Sequence, residues 1–279
     1  MPVRSFEGRL TCICVLSISA YAGTATAGPF AASVVSYDPG SNAAPGYTDP
    51  TAALGSPARL TGIPAGFPSV VSPFSPPFDT DQIVSIGFGG SLTLELGQTA
   101  YDDASHPFGI DFIVFGNAGF IDTGFPNGLV GDSPALFGVG APVLVEASAD
   151  GVNWAVVETR RLDLFPTLGY RDAGPFDSVP GNDPTSFTTA MDPSLTLADI
   201  ANLSYAELVG AYGRSGGGIG FDLSSTGLVE ANFLRFTHAG LDTETFEIDA
   251  VAVVPSPAPM VLLGLFGAQR ARRNCGTSA

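Results

Sequence analysis

Between Val34 and Val254 the apolar residues fall into short runs, most of them four to nine residues long, bounded by Gly, Pro, Asp or Asn. Runs of that length, rich in β-branched and aromatic types, predict strands. They cover residues 34–36, 83–86, 92–96, 112–115, 143–147, 154–157, 233–237 and 246–254. Leu92, Leu94 and Leu96 alternate with Thr93 and Glu95, the period of a strand with one wet face. Two other runs have no polar face. Phe112 and Val114 share one side, with Asp111, Ile113 and Phe115 on the other; Asp249 falls with Val251 and Val253, opposite Ile248 and Ala250. No helix of useful length is interleaved with these runs. The expected fold is all-β, an antiparallel β-sandwich or jelly roll.

From Arg161 to Gly218 the pattern stops. Pro166, Pro175, Pro180, Pro184 and Pro193 punctuate a long loop-rich insertion. Within it Asp192-Pro193-Ser194 precedes Leu195, Leu197, Ile200, Leu203, Leu208 and Val209, which predicts a pair of short helical turns with Asp199 and Glu207 facing outward. A segment this long either carries function or packs over one end of the sandwich. Ser215-Gly216-Gly217-Gly218 lacks the Lys-Ser/Thr and the following helix that phosphate cradling needs. A flexible turn into the next strand is expected there.

The two ends differ from this body. Arg4 and Arg9 precede an apolar stretch over residues 10–22, and Ala25-Thr26-Ala27 places small residues before Gly28. That order predicts a secretory signal peptide, cut between Ala27 and Gly28; its apolar part falls short of the roughly 20 residues of a membrane span. At the other end Val254-Pro255-Ser256-Pro257 opens a proline-rich break. An apolar tail helix is expected over residues 258–268, followed by Arg270, Arg272 and Arg273. This arrangement resembles the PEP-CTERM tripartite sorting signal, with Ser256 where that family carries Glu. The resemblance implies a Gram-negative cell and two export partners, signal peptidase and an exosortase-type sorting protease. It also implies transient inner-membrane anchoring by the tail on the way to the outer surface or extracellular matrix. A permanent single-span anchor and plain secretion are the alternatives. The chain then divides into a leader (1–27), a sandwich domain (28–253, with 161–218 as the insertion) and a sorting tail (254–279).

Charge narrows the partners. All 11 basic residues are arginines, against 27 acidic ones, for a net charge of −16. Five of those arginines lie in the two ends, so the body is more acidic still. Such a surface repels nucleic acid, because binding there requires cations to replace counterions around phosphate. It also disfavours anionic lipid, which leaves the tail as the expected membrane contact, and it favours divalent cations or basic partners. Cys12, Cys14 and Cys275 all fall outside the body. Neither a disulfide framework nor a cysteine metal cluster is expected within it.

Ser148-Ala149-Asp150-Gly151-Val152-Asn153-Trp154 reads as a hairpin, since Asp-Gly suits a turn that needs positive φ. With the runs 232–236 and 246–251, and with Asp249 inside the second, it resembles the discoidin-type, galactose-binding-like jelly rolls. In that resemblance Asp150, Gly151, Trp154 and Asp249 mark the fold, and Trp154 is expected in the core. Modules of this kind often hold a structural calcium near one edge. Asp102, Asp103, Asp111 and Asn117 are the candidate oxygen ligands, where about six to eight are needed. The competing expectation is that Asp111 and Asp249 cap backbone amides, since an unpaired buried carboxylate is expensive.

Motifs for catalysis are lacking. His106 and His238 have no partners at zinc spacing and are expected at the surface or a strand edge, and there is no Gly-x-Ser-x-Gly turn. Tyr47, Phe67, Phe74, Phe78, Phe120, Phe125 and Tyr170 lie in loops, where they either pin those loops to the core or stack on sugars. The expected function is therefore a structural or adhesive role at the cell surface, without catalysis. One alternative is a carbohydrate-binding module with structural calcium, holding extracellular polysaccharide. The other is a secreted glycan hydrolase working through a carboxylate pair.

Overall fold

A computed structural model describes residues 28–256 apart from Asp163. Ala27, Pro257, Arg270, Arg272 and Arg273, and with them the predicted leader and most of the sorting tail, lie outside the described residues.

The chain runs through β1 (Ala31–Asp38), β2 (Leu60–Thr61), β3 (Ser69–Val70), β4 (Val84–Ile86), β5 (Ser91–Tyr101), β6 (Phe112–Phe115) and β7 (Gly119–Phe120). It continues through β8 (Leu136–Phe137), β9 (Val143–Ser148), β10 (Ala155–Arg160), helix α1 (Tyr205–Tyr212), β11 (Ile219–Phe221), β12 (Glu230–His238), β13 (Phe246–Ile248) and β14 (Ala250–Val253). One antiparallel sheet has the order β1-β5-β12-β9-β10; a second, β11-β6-β14, and the pair β13-β4 form the other layer. Alternation places Leu92, Leu94, Val145, Leu234 and Phe236 on the inner face of the first layer. They pack with Phe112, Val114, Phe246 and Val251 from the second in a single cluster. Each such side chain, fully withdrawn from water, contributes roughly 1.5–3 kcal/mol. The fold is an all-β sandwich.

The doubly apolar strand over 112–115 has its explanation in a second, smaller core. Ile113 and Phe115 face away from the first sheet and pack with Ala250, Ala252, Phe187, Ala190 and Val254. Phe187 meets Phe115 edge-on, with centroids 5.4 Å apart. It belongs to the strandless interval, so that interval covers the outer face of the second layer. It also sends Phe165, Leu168, Met191, Leu208 and Tyr212 into the main core. Of the two helical turns expected there, the later one is α1. Ser204 and Glu207 cap it reciprocally, satisfying amides that the first turn leaves unpaired.

Two sequence expectations need correction here. The run from Ser215 to Gly218 is buried, not a flexible surface turn. Gly216 N–H donates to Ser186 O at 2.9 Å and Gly218 N–H to Phe165 O at 2.8 Å. Gly217 has φ +84, and a Cβ there would lie 2.4 Å from Pro166 O, so no side chain fits. The body also extends past 253: Val254 is buried, and its N–H donates to Asp111 O at 2.9 Å.

The last run, 246–254, is two strands. At Asp249 the chain changes partner from β4 to β6, and its N–H donates to Phe115 O at 2.8 Å. Its carboxyl is buried and accepts the Ala58 N–H, at 3.2 and 3.3 Å. The amide-capping expectation for Asp249 thus holds. Burial pushes this carboxyl well above the usual carboxylate range, against the smaller pull of the Ala58 amide. A carboxyl raised on folding stabilises the protein fully at pH below its unfolded value, and that contribution is lost as pH rises through the folded value. Asp249→Asn removes this pH dependence. Measured by urea unfolding, its stability relative to the parent is expected to be lowest near pH 3 and to rise steadily from there towards pH 8. Equal losses in both proteins between those pH values would refute it.

Candidate functional site

The β7–β8 pair builds one side of a surface cleft. Phe137, at the end of β8, lies over Gly119, where a Cβ would come within 2.7 Å of its ring, and beside Pro76. Phe78 stands across from it, its backbone fixed by the Tyr47 hydroxyl donating to Phe78 O at 2.6 Å and by Phe78 N–H donating to Thr61 Oγ1 at 3.0 Å. Both rings remain open to solvent, Phe78 at 42% and Phe137 at 44%. With Phe74, Pro77 and Asn117 they line a cleft of about 260 Å3. Asn117 Nδ2 donates to Glu247 Oε2. Glu247, with Val139 and Thr245, lines an adjoining cleft of about 170 Å3 that shares Gly138 with the first. The result is a surface groove with two phenyl faces, one amide and one carboxylate.

This groove sorts the loop aromatics. Phe74 and Phe120 are buried and pack on each other at 6.2 Å, so they pin loops to the core. Phe74 also reaches the groove from its buried side, and Phe78 borders it with its ring open to solvent. Phe137 and Glu247 were not legible as site residues. Each sits in a strand segment whose neighbours across the sheet decide its role.

A second constellation surrounds Asp111. Its side chain is buried, Oδ1 lying 2.8 Å from His106 Nδ1 and accepting the Asp103 N–H at 3.2 Å, while Oδ2 accepts the Leu223 N–H at 2.8 Å. Burial raises this carboxyl, and the Leu223 amide and His106 oppose the shift. His106 is buried, contrary to the expected surface position, and its Nε2 lies 3.1 Å from Ser256 Oγ. His238 is also buried: Nδ1 accepts the Gly240 N–H and Nε2 meets Glu244 O at 3.0 Å.

The calcium set does not assemble as expected. Oxygens of Asp102, Asp111 and Asp222 lie within 4.8 Å of one another, so two of the four candidates meet and are joined by an unanticipated third. Asp103 instead caps Ser105 through its hydroxyl and amide, which hold it below the usual range. Asn117 is engaged at Glu247. Both oxygens of Asp111 already accept N–H donors, which supply what a cation would otherwise provide. These residues do not fit a calcium shell of six to eight oxygens. Melting in a strong chelator is therefore expected to leave the transition unmoved, whereas a fall of several degrees would place a cation here.

The hairpin motif forms as expected. Asp150 Oδ1 accepts the Val152 and Asn153 N–H groups at 2.9 and 2.8 Å, holding its carboxyl far below the usual range, and Gly151 has φ +74. Trp154 is not in the core. It is half-buried on the outer sheet face, with the Arg235 guanidinium 4.3 Å from its ring centroid. Arg235 in turn binds Glu146 through Nε and Nη2 at 2.7 and 2.8 Å. Both groups of a surface stack are thus already occupied. Gly28 and Pro255 are exposed and Ser256 is half-buried. No helix among the described residues is long and apolar enough to cross a membrane.

No protein-family model matches the chain, and no curated protein matches it. Among solved structures it is similar to CBM32-3 from a family 31 glycoside hydrolase of Clostridium perfringens. That likeness has 14% identity and a TM-score of 0.25, over 61% of this chain and 74% of the other. A likeness so distant bears on neither ligand nor chemistry.

Proposed function

We propose that this chain is an exported surface protein whose sandwich body holds extracellular polysaccharide in the Phe78–Phe137 groove without cleaving it. One observation carries the reading: two solvent-open phenyl rings flank an amide–carboxylate pair. Sugar rings present apolar C–H faces and hydroxyl edges, and a groove with aromatic walls and a few convergent polar groups suits both. Binding is favoured over hydrolysis because glycosidases need two carboxyl groups about 5–9.5 Å apart. Among the described residues the groove lining carries one carboxylate, Glu247. Delivery to the envelope or matrix rests on the two terminal segments, with signal peptidase and an exosortase-type protease as the processing partners.

Glycan-array screening followed by calorimetry tests this. A polysaccharide ligand is expected, and Phe137→Ala is expected to weaken it at least tenfold, about 1.4 kcal/mol, with an unchanged melting transition. Reducing ends appearing during incubation would support the hydrolase instead. Unaltered affinity in Phe137→Ala would move the site elsewhere.

A further inference from the structure

Where the body hands over to its C-terminal segment, three side chains form a relay. Asp111 is held by two backbone amides and faces His106 Nδ1 at 2.8 Å. An ionised carboxylate only accepts, so Nδ1 carries the imidazole proton and Nε2 is left as an acceptor. The Ser256 hydroxyl, 3.1 Å from Nε2, then donates to it. The carboxylate of Asp103 lies 3.9 Å from the same nitrogen and competes with it for the one Ser256 hydroxyl proton. The side chains of His106 and Asp111 are fully buried, whereas Pro255 is exposed and Ser256 only half-buried. Thus a fixed, dry base meets a hydroxyl that water can reach.

We propose that this relay makes Ser256 the nucleophile in a single self-cleavage between Pro255 and Ser256, which frees the segment beginning at Ser256. His106 Nε2 takes the Oγ proton as Oγ attacks the carbonyl carbon of Pro255. The Oγ–C bond forms and the C–N bond breaks. The imidazolium proton passes to the leaving nitrogen, which becomes the α-amine of Ser256. Pro255 is now joined to Ser256 through an ester. Water adds to that ester with His106 again as base, leaving a Pro255 carboxylate and a free Ser256. Water is the only co-reactant. Asp111 is a positioning residue, fixing the tautomer and orienting the ring.

Nucleophile and carbonyl are covalent neighbours, and the chain just before them is tied down. Val253 N–H donates to Pro29 O at 2.6 Å and Val254 N–H to Asp111 O at 2.9 Å. Such tethering replaces a bimolecular encounter with an oriented one. The inference is independent of the glycan reading, since it uses neither the groove nor its residues. It also differs from processing by a sorting protease, because the purified chain alone suffices.

Incubation of the purified full chain with intact-mass analysis tests it. The expected products are a fragment ending at Pro255 and a peptide beginning at Ser256. Hydroxylamine is expected to speed the cut and leave a hydroxamate on Pro255, which only an ester yields. Ser256→Ala is expected to stay whole, and Ser256→Thr to keep cutting. His106→Asn is expected to slow the cut at least ~100-fold, the size of a general-base contribution. Because His106 is buried, its variant is paired with a melting curve, and the two Ser256 variants carry the test if it unfolds. A chain that stays whole, a cut that survives in Ser256→Ala, or a cut without hydroxamate would each overturn the proposal.

Discussion

Asp111→Ala is expected to lower the stability of the sandwich by about 3–5 kcal/mol, the scale of leaving several buried donors without their shared acceptor. The substitution removes an acceptor, not a contact area. Leu223 N–H, Asp103 N–H and His106 Nδ1 all point at this carboxylate, from two separate segments. Each donor left dry and unpaired costs about 1–3 kcal/mol. The backbone of Asp111 is equally committed, its N–H donating to Phe221 O at 2.8 Å and its C=O accepting from Val254. Loosening this point therefore frees β11 and the last strand together. Asp111→Asn is the milder variant, because its amide oxygen still accepts while its NH2 faces a donor. Urea unfolding of the three proteins decides it. A loss below 1 kcal/mol in Asp111→Ala would mean that water reaches these donors and replaces the carboxylate.

Why the strands were legible and the sites were not follows from these same contacts. Strand 112–115 is read correctly because burial on both faces writes itself into four consecutive apolar residues. The sequence cannot say what covers the second face, since Phe187 sits 72 positions from Phe115 with no periodic signal to link them. Likewise His106 meets Ser256 across 150 residues and Asn117 meets Glu247 across 130. Both meetings depend on sheet order, which local patterning leaves open. In the first, β14 pairs with β6 in register, bringing Val253 opposite Phe112 and so carrying Ser256 back towards residues 103–111. Trp154 misleads for a different reason. An aromatic residue entering a strand looks like core, but here it enters the edge strand β10 on its outer side, where Arg235 covers it. Asp150 and Gly151 succeed because an Asp-Gly turn is local, and every hydrogen bond that defines it lies within three residues.

Arg59 ties two points of the strandless interval together. Arg59 donates through Nη1 to Gly169 O and through Nη2 to Thr185 O at 2.8 Å. Its guanidinium lies 4.1 Å from the centroid of Phe187 and 5.5 Å from that of Tyr170. Burial pulls this guanidinium below its usual range, so the carbonyls and rings around it stand in for lost water. Backbone bonds flank the same point: Val71 N–H donates to Arg59 O at 3.0 Å and Gly169 N–H to Val71 O at 2.8 Å. Phe187, held under the guanidinium, is the ring that closes the second core over Phe115. Arg59→Met keeps the stem and discards the donors. It is expected to cost about 2–4 kcal/mol, combining lost charge-assisted hydrogen bonds with a lost cation–π contact. The loss is expected to be local first, with limited proteolysis cutting within 161–218 at denaturant levels that leave the five-stranded sheet intact. The pinning role would be refuted if the variant unfolded in one step with every region cleaved together, or if its cleavage rate within 161–218 matched the parent's. Lysine at this position is expected to recover little, because a point charge cannot address two carbonyls in a fixed fork and stack on Phe187 as well.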